Sequence, residues 1–308
     1  MARRIGIVLW AAAAAALVAA PRARACSVCG CGDPLLIASD PAAITGQLRF
    51  QADVEYLRMD AGNEEDPART DQLTQWSYRL NTAWRPLDTL SLTATLPVVS
   101  KAIRTVGGGA PAVAASDVTG LGDVEVAARW ALWRQVYLGL GRVQEVAVTA
   151  GTSMPTGPNG LRAGGERIDE HGQPGTGAWG PFAGIHYRYE QGPWTGFASF
   201  SGRVHTENRY GYTYGPAALW SVHGQYLLAK RVALDLGVDG RHAGADQSHG
   251  AAVVNTGGTV NAAAPGVYVD AGGGAWVFAR GQIPFVKRFR GDQDQLPSVT
   301  LGAQYQVR

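Results

Sequence analysis

Residues 47–56 read QLRFQADVEY. The even positions carry Leu48, Phe50, Ala52, Val54 and Tyr56, and the odd ones Gln47, Arg49, Gln51, Asp53 and Glu55. A period of two, apolar on one side and charged on the other, marks a strand whose faces meet different surroundings. The next segment repeats it: Trp76, Tyr78, Leu80 and Trp84 oppose Gln75, Ser77, Arg79 and Asn81. The alternation returns along the chain, last at Val299, Leu301, Ala303, Tyr305 and Val307, with a weaker segment over 276–289. The count is about twelve strands, many longer than the roughly 5–6 residues usual in soluble sheets.

Connections separate a soluble sandwich from a membrane barrel. Short turns fall at 86–88, 190–193, 229–231 and near Gly273, with a somewhat longer one at 134–141. Long polar or Gly-rich connections fall at 59–72, 101–119, 155–176 and 243–264, with a medium one at 206–213. Long and short alternate, as they do when a barrel has short turns on one side of a membrane and longer loops on the other. No apolar run after the first 25 residues approaches the roughly 20 that a spanning helix needs. A spanning chain without such helices must close its sheet, because lipid cannot satisfy an open edge. The expected fold is all-β: a transmembrane antiparallel up-and-down β-barrel over residues 44–308. Its apolar faces would meet outer-membrane lipid, and Trp84, Trp130, Tyr187, Tyr189, Trp220 and Tyr305 would join interfacial girdles. Pro97 and Pro284 suit strand ends or bulges. The terminal Val307-Arg308 departs from the aromatic common at the end of bacterial barrels.

The segment before the first strand carries a different message. Arg3 and Arg4, an apolar run from Ile5 to Ala20, and Ala23-Arg24-Ala25 have the order of a secretory signal over residues 1–25. Four of the 27 cationic residues lie there, leaving 23 against 25 acidic ones in the mature chain. With charged residues at only 17%, a basic nucleic-acid-binding surface is excluded. The expected location is the outer membrane of a Gram-negative bacterium, after Sec export.

Residues 26–43 form a periplasmic N-terminal segment containing Cys26, Cys29 and Cys31. Three thiols this close suit copper or zinc, since thiolate favours soft ions. No second CxxC or His pair completes a four-ligand zinc site. A Cys26–Cys29 disulfide, a lipid on Cys26 and a periplasmic partner joined through the odd cysteine stay open.

The polar faces collect the candidate lumen residues: Arg49, Asp53, Glu55, Arg79, Glu125, Arg129, His186, Arg188, Arg203, His223, Asp235 and Asp239. These could line a pore for small solutes, or form a cross-strand ion-pair lattice that fills a narrow barrel. His186 and His223 are a further candidate metal pair. No catalytic set emerges, so no enzyme is expected. The Gly-rich stretches lack a phosphate-loop context, 151–155 is not a G-x-S-x-G elbow, and Ser248-His249 has no partner.

Four phrases carry a resemblance: Thr119-Gly120-Leu121-Gly122-Asp123-Val124, TAGTSMPTG at 149–157, Gln173-Pro174-Gly175-Thr176-Gly177 and Gln282-Ile283-Pro284-Phe285. In this order they resemble the outer-membrane proteins of the MetA-pathway of phenol degradation family, which are labelled transporters. The resemblance implies a β-barrel and passage of small molecules, and transfers no catalytic residue. The function expected is an outer-membrane channel or transporter for small solutes. The alternatives are a metal-binding or redox-partner protein built on the cysteines, and a plugged structural barrel.

Overall fold

The computed structural model describes residues 46–62, 68–107 and 110–307, with backbone alone for 110–115. The expected signal and Cys26, Cys29 and Cys31 lie outside the described residues. The principal sheet contains β1 (Leu48–Gly62), β2 (Arg69–Leu87), β3 (Leu90–Gly107), β4 (Ala110–Leu121), β5 (Glu125–Tyr137), β6 (Arg142–Ser153) and β7 (Gly180–Gln191). It continues through β8 (Trp194–Arg203), β9 (Ala217–Ala229), β10 (Val232–Ala243), β11 (Gly258–Gly272), β12 (Ala275–Phe289), β13 (Gln293–Gln295) and β14 (Ser298–Val307).

All pairings are antiparallel, and β1 closes the ring by pairing with β2 on one edge and with β13 and β14 on the other. Two staves are broken. β4 and β5 both lie along β3, with Val98 opposite Leu121 and Thr95 opposite Glu125. β13 and β14 both lie along β1. The result is a closed 12-strand barrel, as the alternation predicts.

Both prolines stand where their missing N–H does least harm. Pro97 faces the break between β4 and β5, where its carbonyl accepts from Gly122 N at 2.9 Å. Pro284 stands at a register shift between β11 and β12. The weak 276–289 segment is thus a full strand with a bulge.

Two of the predicted long connections are largely strand. β3 and β4 extend to Gly107 and from Ala110, where a loop over 101–119 was expected, and β1 and β2 advance to Gly62 and from Arg69. The expectation failed because alternation persists there with small and polar residues such as Ser100, Ala102 and Thr119 in place of large apolar ones. The outer loops 154–179, 204–216 and 244–257 are largely irregular, with two-residue pairings of Arg162–Ala163 with Glu166–Arg167, and of Gln247–Ser248 with both Tyr212–Thr213 and Ala251–Ala252.

Outside, Phe50, Tyr78, Leu80, Leu92, Leu96, Val222 and Leu236 are exposed, an apolar surface suited to lipid. Trp84, Trp130, Tyr187 and Tyr305 are exposed as expected. Tyr189 and Trp220 are only partly so, the Trp220 indole lying over Gly240. Inside, the lumen face of β1 runs from Arg49, Asp53 and Glu55 to Leu57, Met59 and Ala61. Leu57, Met59 and Val260 pack together with Phe289. The inner face of β1 is therefore polar toward the short turns and apolar toward the loops, while β2 keeps a buried Asp71 opposite Ala61.

Candidate functional site: the lumen and its loop cap

The register brings opposite charges together on the inner face. Asp53 stands opposite Arg79 on the neighbouring strand. Arg79 donates to Asp53 at 2.6 Å and to Glu55 at 2.8 Å, and Asn81 donates to Asp53 at 2.9 Å. Arg203 reaches past β6 and β7 to donate to Glu125 at 2.5 Å. Asp239 accepts from Gln282 at 2.8 Å and faces Arg280 at 3.5 Å. All of these groups but Asn81 line a cavity of about 300 Å³. Leu57, Val99, Val260, Ala262 and Phe278 share its walls, so the cavity is amphipathic.

Toward the short turns a second group is packed without reaching that cavity. Arg129 donates to Glu145, which Arg134 also approaches at 3.8 Å, and Arg188 pairs with Glu190. His186 and the Thr149 hydroxyl are 2.8 Å apart. His223 lies between Asp235 at 3.0 Å and Asp239 at 2.9 Å, with Phe197 stacked on its ring at 4.6 Å.

The candidates therefore divide. All twelve point inward, but only Asp53, Glu55, Arg79, Glu125, Arg203 and Asp239 line the cavity. Arg49, Arg129, His186, Arg188, His223 and Asp235 sit among polar and charged neighbours outside it. His186 and His223 do not converge: β8 separates them, and His186 is in register with Ser199 while His223 faces Phe197. Among the described residues no cluster of three or more His, Cys, Asp or Glu could hold a metal.

Over the cavity, three outer loops knit into a cap. Asp246 is fully buried at its centre. Its carboxylate accepts from the Tyr212 hydroxyl at 2.6 Å and Gly215 N at 2.7 Å, and His171 Nε2 lies 2.9 Å away. Asp246 N donates to Thr256 Oγ1 at 3.0 Å, so loops 154–179, 204–216 and 244–257 all meet at this residue. Glu170 pairs with Arg167 and accepts from Asn208 Nδ2 at 3.2 Å. Lys101, on β3, holds the first loop down by donating to the carbonyls of His171 and Gln173 at 3.0 and 2.8 Å.

Burial opposes charge on Asp246, but the hydrogen bond and charge of His171, then Tyr212 and Gly215 N, outweigh it and hold its carboxyl below the ordinary value. Burial first, and the charge and hydrogen bond of Asp246 next, push the Tyr212 phenol far up, which keeps it a neutral donor. His205 is pushed down to about 4 by burial and by Arg203 and Arg241.

The period-two pattern located the wall charges and missed this cap. Asp246, His171, Tyr212 and Lys101 come from irregular segments or from a stretch read as loop. The available signals were the Gln173–Gly177 phrase and the Asp123 of the Gly122-Asp123 pair.

No family model and no curated protein sequence matches the chain. Solved structures do. The COG4313 outer membrane channel from Pseudomonas putida F1 superposes with a TM-score of 0.64 at 13% identity, covering 86% of this chain and 97% of that one. The translocator domain of the autotransporter NalP from Neisseria meningitidis reaches 0.46 at 14% identity, covering 88% and 91%. A Pseudomonas aeruginosa FadL homologue reaches 0.40 at 11%, covering 84% and 90%. Only the first of these is close enough in shape to carry an argument, and what it supports is the fold: a closed antiparallel β-barrel like that of an outer-membrane protein.

Proposed function

We propose that the protein is a passive outer-membrane channel for small solutes. The cavity carries this reading: a barrel serving only as a scaffold has no need of an amphipathic chamber roofed by loops, whereas a solute path does. The chamber's size limits the cargo to small molecules. Its mixed walls suit solutes with both a polar group and an apolar body, and the resemblance to the phenol-degradation family makes phenol the first test solute. Asp53, Glu55, Arg79, Glu125, Arg203 and Asp239 act as the charges a solute passes, while the turn-side charges set the width of the path.

The test is conductance of the mature chain in planar bilayers. Discrete steps are expected, and Glu125→Lys, which turns an ion pair into two cations at the chamber wall, shifts the reversal potential toward anion preference. Asp235→Lys, outside the chamber, lowers thermal stability more than it moves selectivity. Absence of steps from the folded wild-type barrel overturns the channel.

A further inference from the structure

Arg280 is a poorly partnered arginine in the chamber wall. Arg79 donates to two carboxylates, Arg203 to Glu125 and, outside the chamber, Arg129 to Glu145. The Arg280 side chain lines the same chamber and is only 16% exposed. Its buried Nε and Nη2 nevertheless have no hydrogen-bond partner among the described residues. Asp239 stands 3.5 Å from Nη2, an ion pair without a hydrogen bond. Asp239 has bonds of its own, to His223 Nε2 at 2.9 Å and Gln282 at 2.8 Å, and does not depend on Arg280.

A guanidinium carries only donors and cannot shed its charge, so enclosing it unbonded is costly. The cost falls when an acceptor enters the chamber. Nε and Nη2 lie along one edge of the group, where a carboxylate makes two parallel bonds. No hydrogen bond at these two atoms has to break for that edge to turn toward a solute. A second negative charge on the solute would meet Asp239, so the fit is to a monoanion.

The neighbours define the rest of the solute. On β12, Phe278 is the next inward residue toward the short turns, about 7 Å from Arg280 along the strand. Its ring is stacked with that of Tyr268 on β11, with centroids 5.4 Å apart and planes at 26°, and both residues line the chamber. Glycines opposite make room for these side chains. Gly266 faces Arg280, and a Cβ there would lie 3.1 Å from the Arg280 Cγ. Gly302 faces Phe278, and a Cβ there would overlap the Phe278 ring. A charged fork and an aromatic pair, set two residues apart on one strand, match the two ends of a single-ring acid.

We propose that Arg280, with Phe278 and Tyr268 beside it, is a binding site in the chamber for a small aromatic monocarboxylate. The carboxylate sits on the guanidinium and the ring against the aromatic pair. The proposal deepens the channel reading by naming a solute class, and rests on that reading for the solute's way in and out.

The test is calorimetric titration of the folded mature chain, in a nonionic detergent near neutral pH, with benzoate and with benzamide, which has the same shape and no charge. Benzoate should bind the parent at least about tenfold more tightly than benzamide, as a charge-assisted pair does. Arg280→Gln should abolish that preference, and Arg280→Lys, which keeps the charge and loses the fork, should restore only part of it. Arg134→Gln, which removes a charge outside the chamber, should leave it unchanged. In planar bilayers benzoate should lower the potassium chloride conductance of the parent and not that of Arg280→Gln. Equal binding of benzoate and benzamide by the parent overturns the site without need of any variant, as does a preference that survives Arg280→Gln. Conductance steps without a benzoate preference would leave the channel standing and remove the site. An Arg280-dependent preference in a barrel without conductance would remove the channel and leave the site.

Discussion

Glu145 and Asp246 are both buried carboxylates, one in the barrel wall and one in the loop cap. Glu145 meets Arg129 and Arg134 from an adjacent strand, formal charge against formal charge. Asp246 meets a phenol, an imidazole and a backbone N–H brought from two other loops. In the wall the antiparallel ladder brings up the partner, as it does for Glu145 and Arg129 and for Asp53 and Arg79, on strands already joined, while Arg203 to Glu125 adds a tie across two strands. In the cap the only ladder between loops is the two-residue pairing of Tyr212–Thr213 with Gln247–Ser248 among the described residues, so one side chain does much of the work of holding segments far apart in sequence. The wall is therefore redundant and local, and the cap depends on a hub. The proposed solute path would draw on this contrast, with firm walls beneath a roof joined at few points.

The largest expected effect comes from breaking a wall pair halfway. Arg129→Ala leaves Glu145 buried without its hydrogen-bonded partner and with Arg134 at 3.8 Å, a loss of about 3–5 kcal/mol when a buried pair loses one member. The readout is the temperature at which the folded barrel loses its fast-migrating form on a gel. Arg129→Ala with Glu145→Ala should recover much of the loss, since the stranded charge goes too. A double variant as unstable as the single would show that Arg129 works by packing, and the contrast between charged wall and hub-built cap would weaken.

Asp246→Ala is the matching test in the cap. It strands Gly215 N, which costs roughly 1–3 kcal/mol when buried without a partner, and leaves the Tyr212 hydroxyl with His171 Nε2 at 3.1 Å. The cost should stay in the loops. Protease cleavage within 204–216 and 244–257 should rise, and the channel's open probability with it, while the barrel keeps its melting temperature. If the barrel melts early as well, cap and wall form one cooperative unit and the division drawn above is wrong.

The two regions also differ in how far sequence reveals them. The wall was legible because alternation fixes both the facing of each residue and the number of strands: Arg49, Asp53 and Glu55 fall inward by the same parity that sends Phe50 and Val54 out. What alternation could not show was depth. Arg129 and Glu125 share a face of one strand, yet one is sealed below the chamber and the other lines it, because that depends on shear between strands and on what fills the lumen. The cap was illegible for a further reason. Asp246 stands in a Gly- and Ala-rich loop, and nothing local pairs it with His171, 75 residues earlier. The glycine phrases marked a contact without explaining it: a Cβ on Gly175 would lie 2.5 Å from the carbonyl carbon of Gly157, a closeness that belongs to the folded loops.

The smallest effect expected is a weak dependence of the cap on pH, and it sharpens the comparison because it should appear in the loops. His205 lies just beyond the end of β8, its ring beside that of Tyr214 at 5.5 Å, under the cap. Its value of about 4 belongs to the closed, dry state. Lifted into water, it returns toward the ordinary 6.5 or so. A group depressed in the closed state contributes stability that is fully present above its open-state value and is lost as pH falls toward the closed-state value. The cap should accordingly loosen by roughly 1 kcal/mol between pH 6.5 and 5.5 as open loops take up the proton. Asp246, held below its ordinary carboxylate range, stays ionised over that interval and contributes no change. Loop cleavage or open probability measured from pH 7.5 to 5.5 should rise on acidification in the parent and stay nearly flat in His205→Gln. A slope that survives that substitution would place the proton elsewhere in the cap and leave His205 as packing alone.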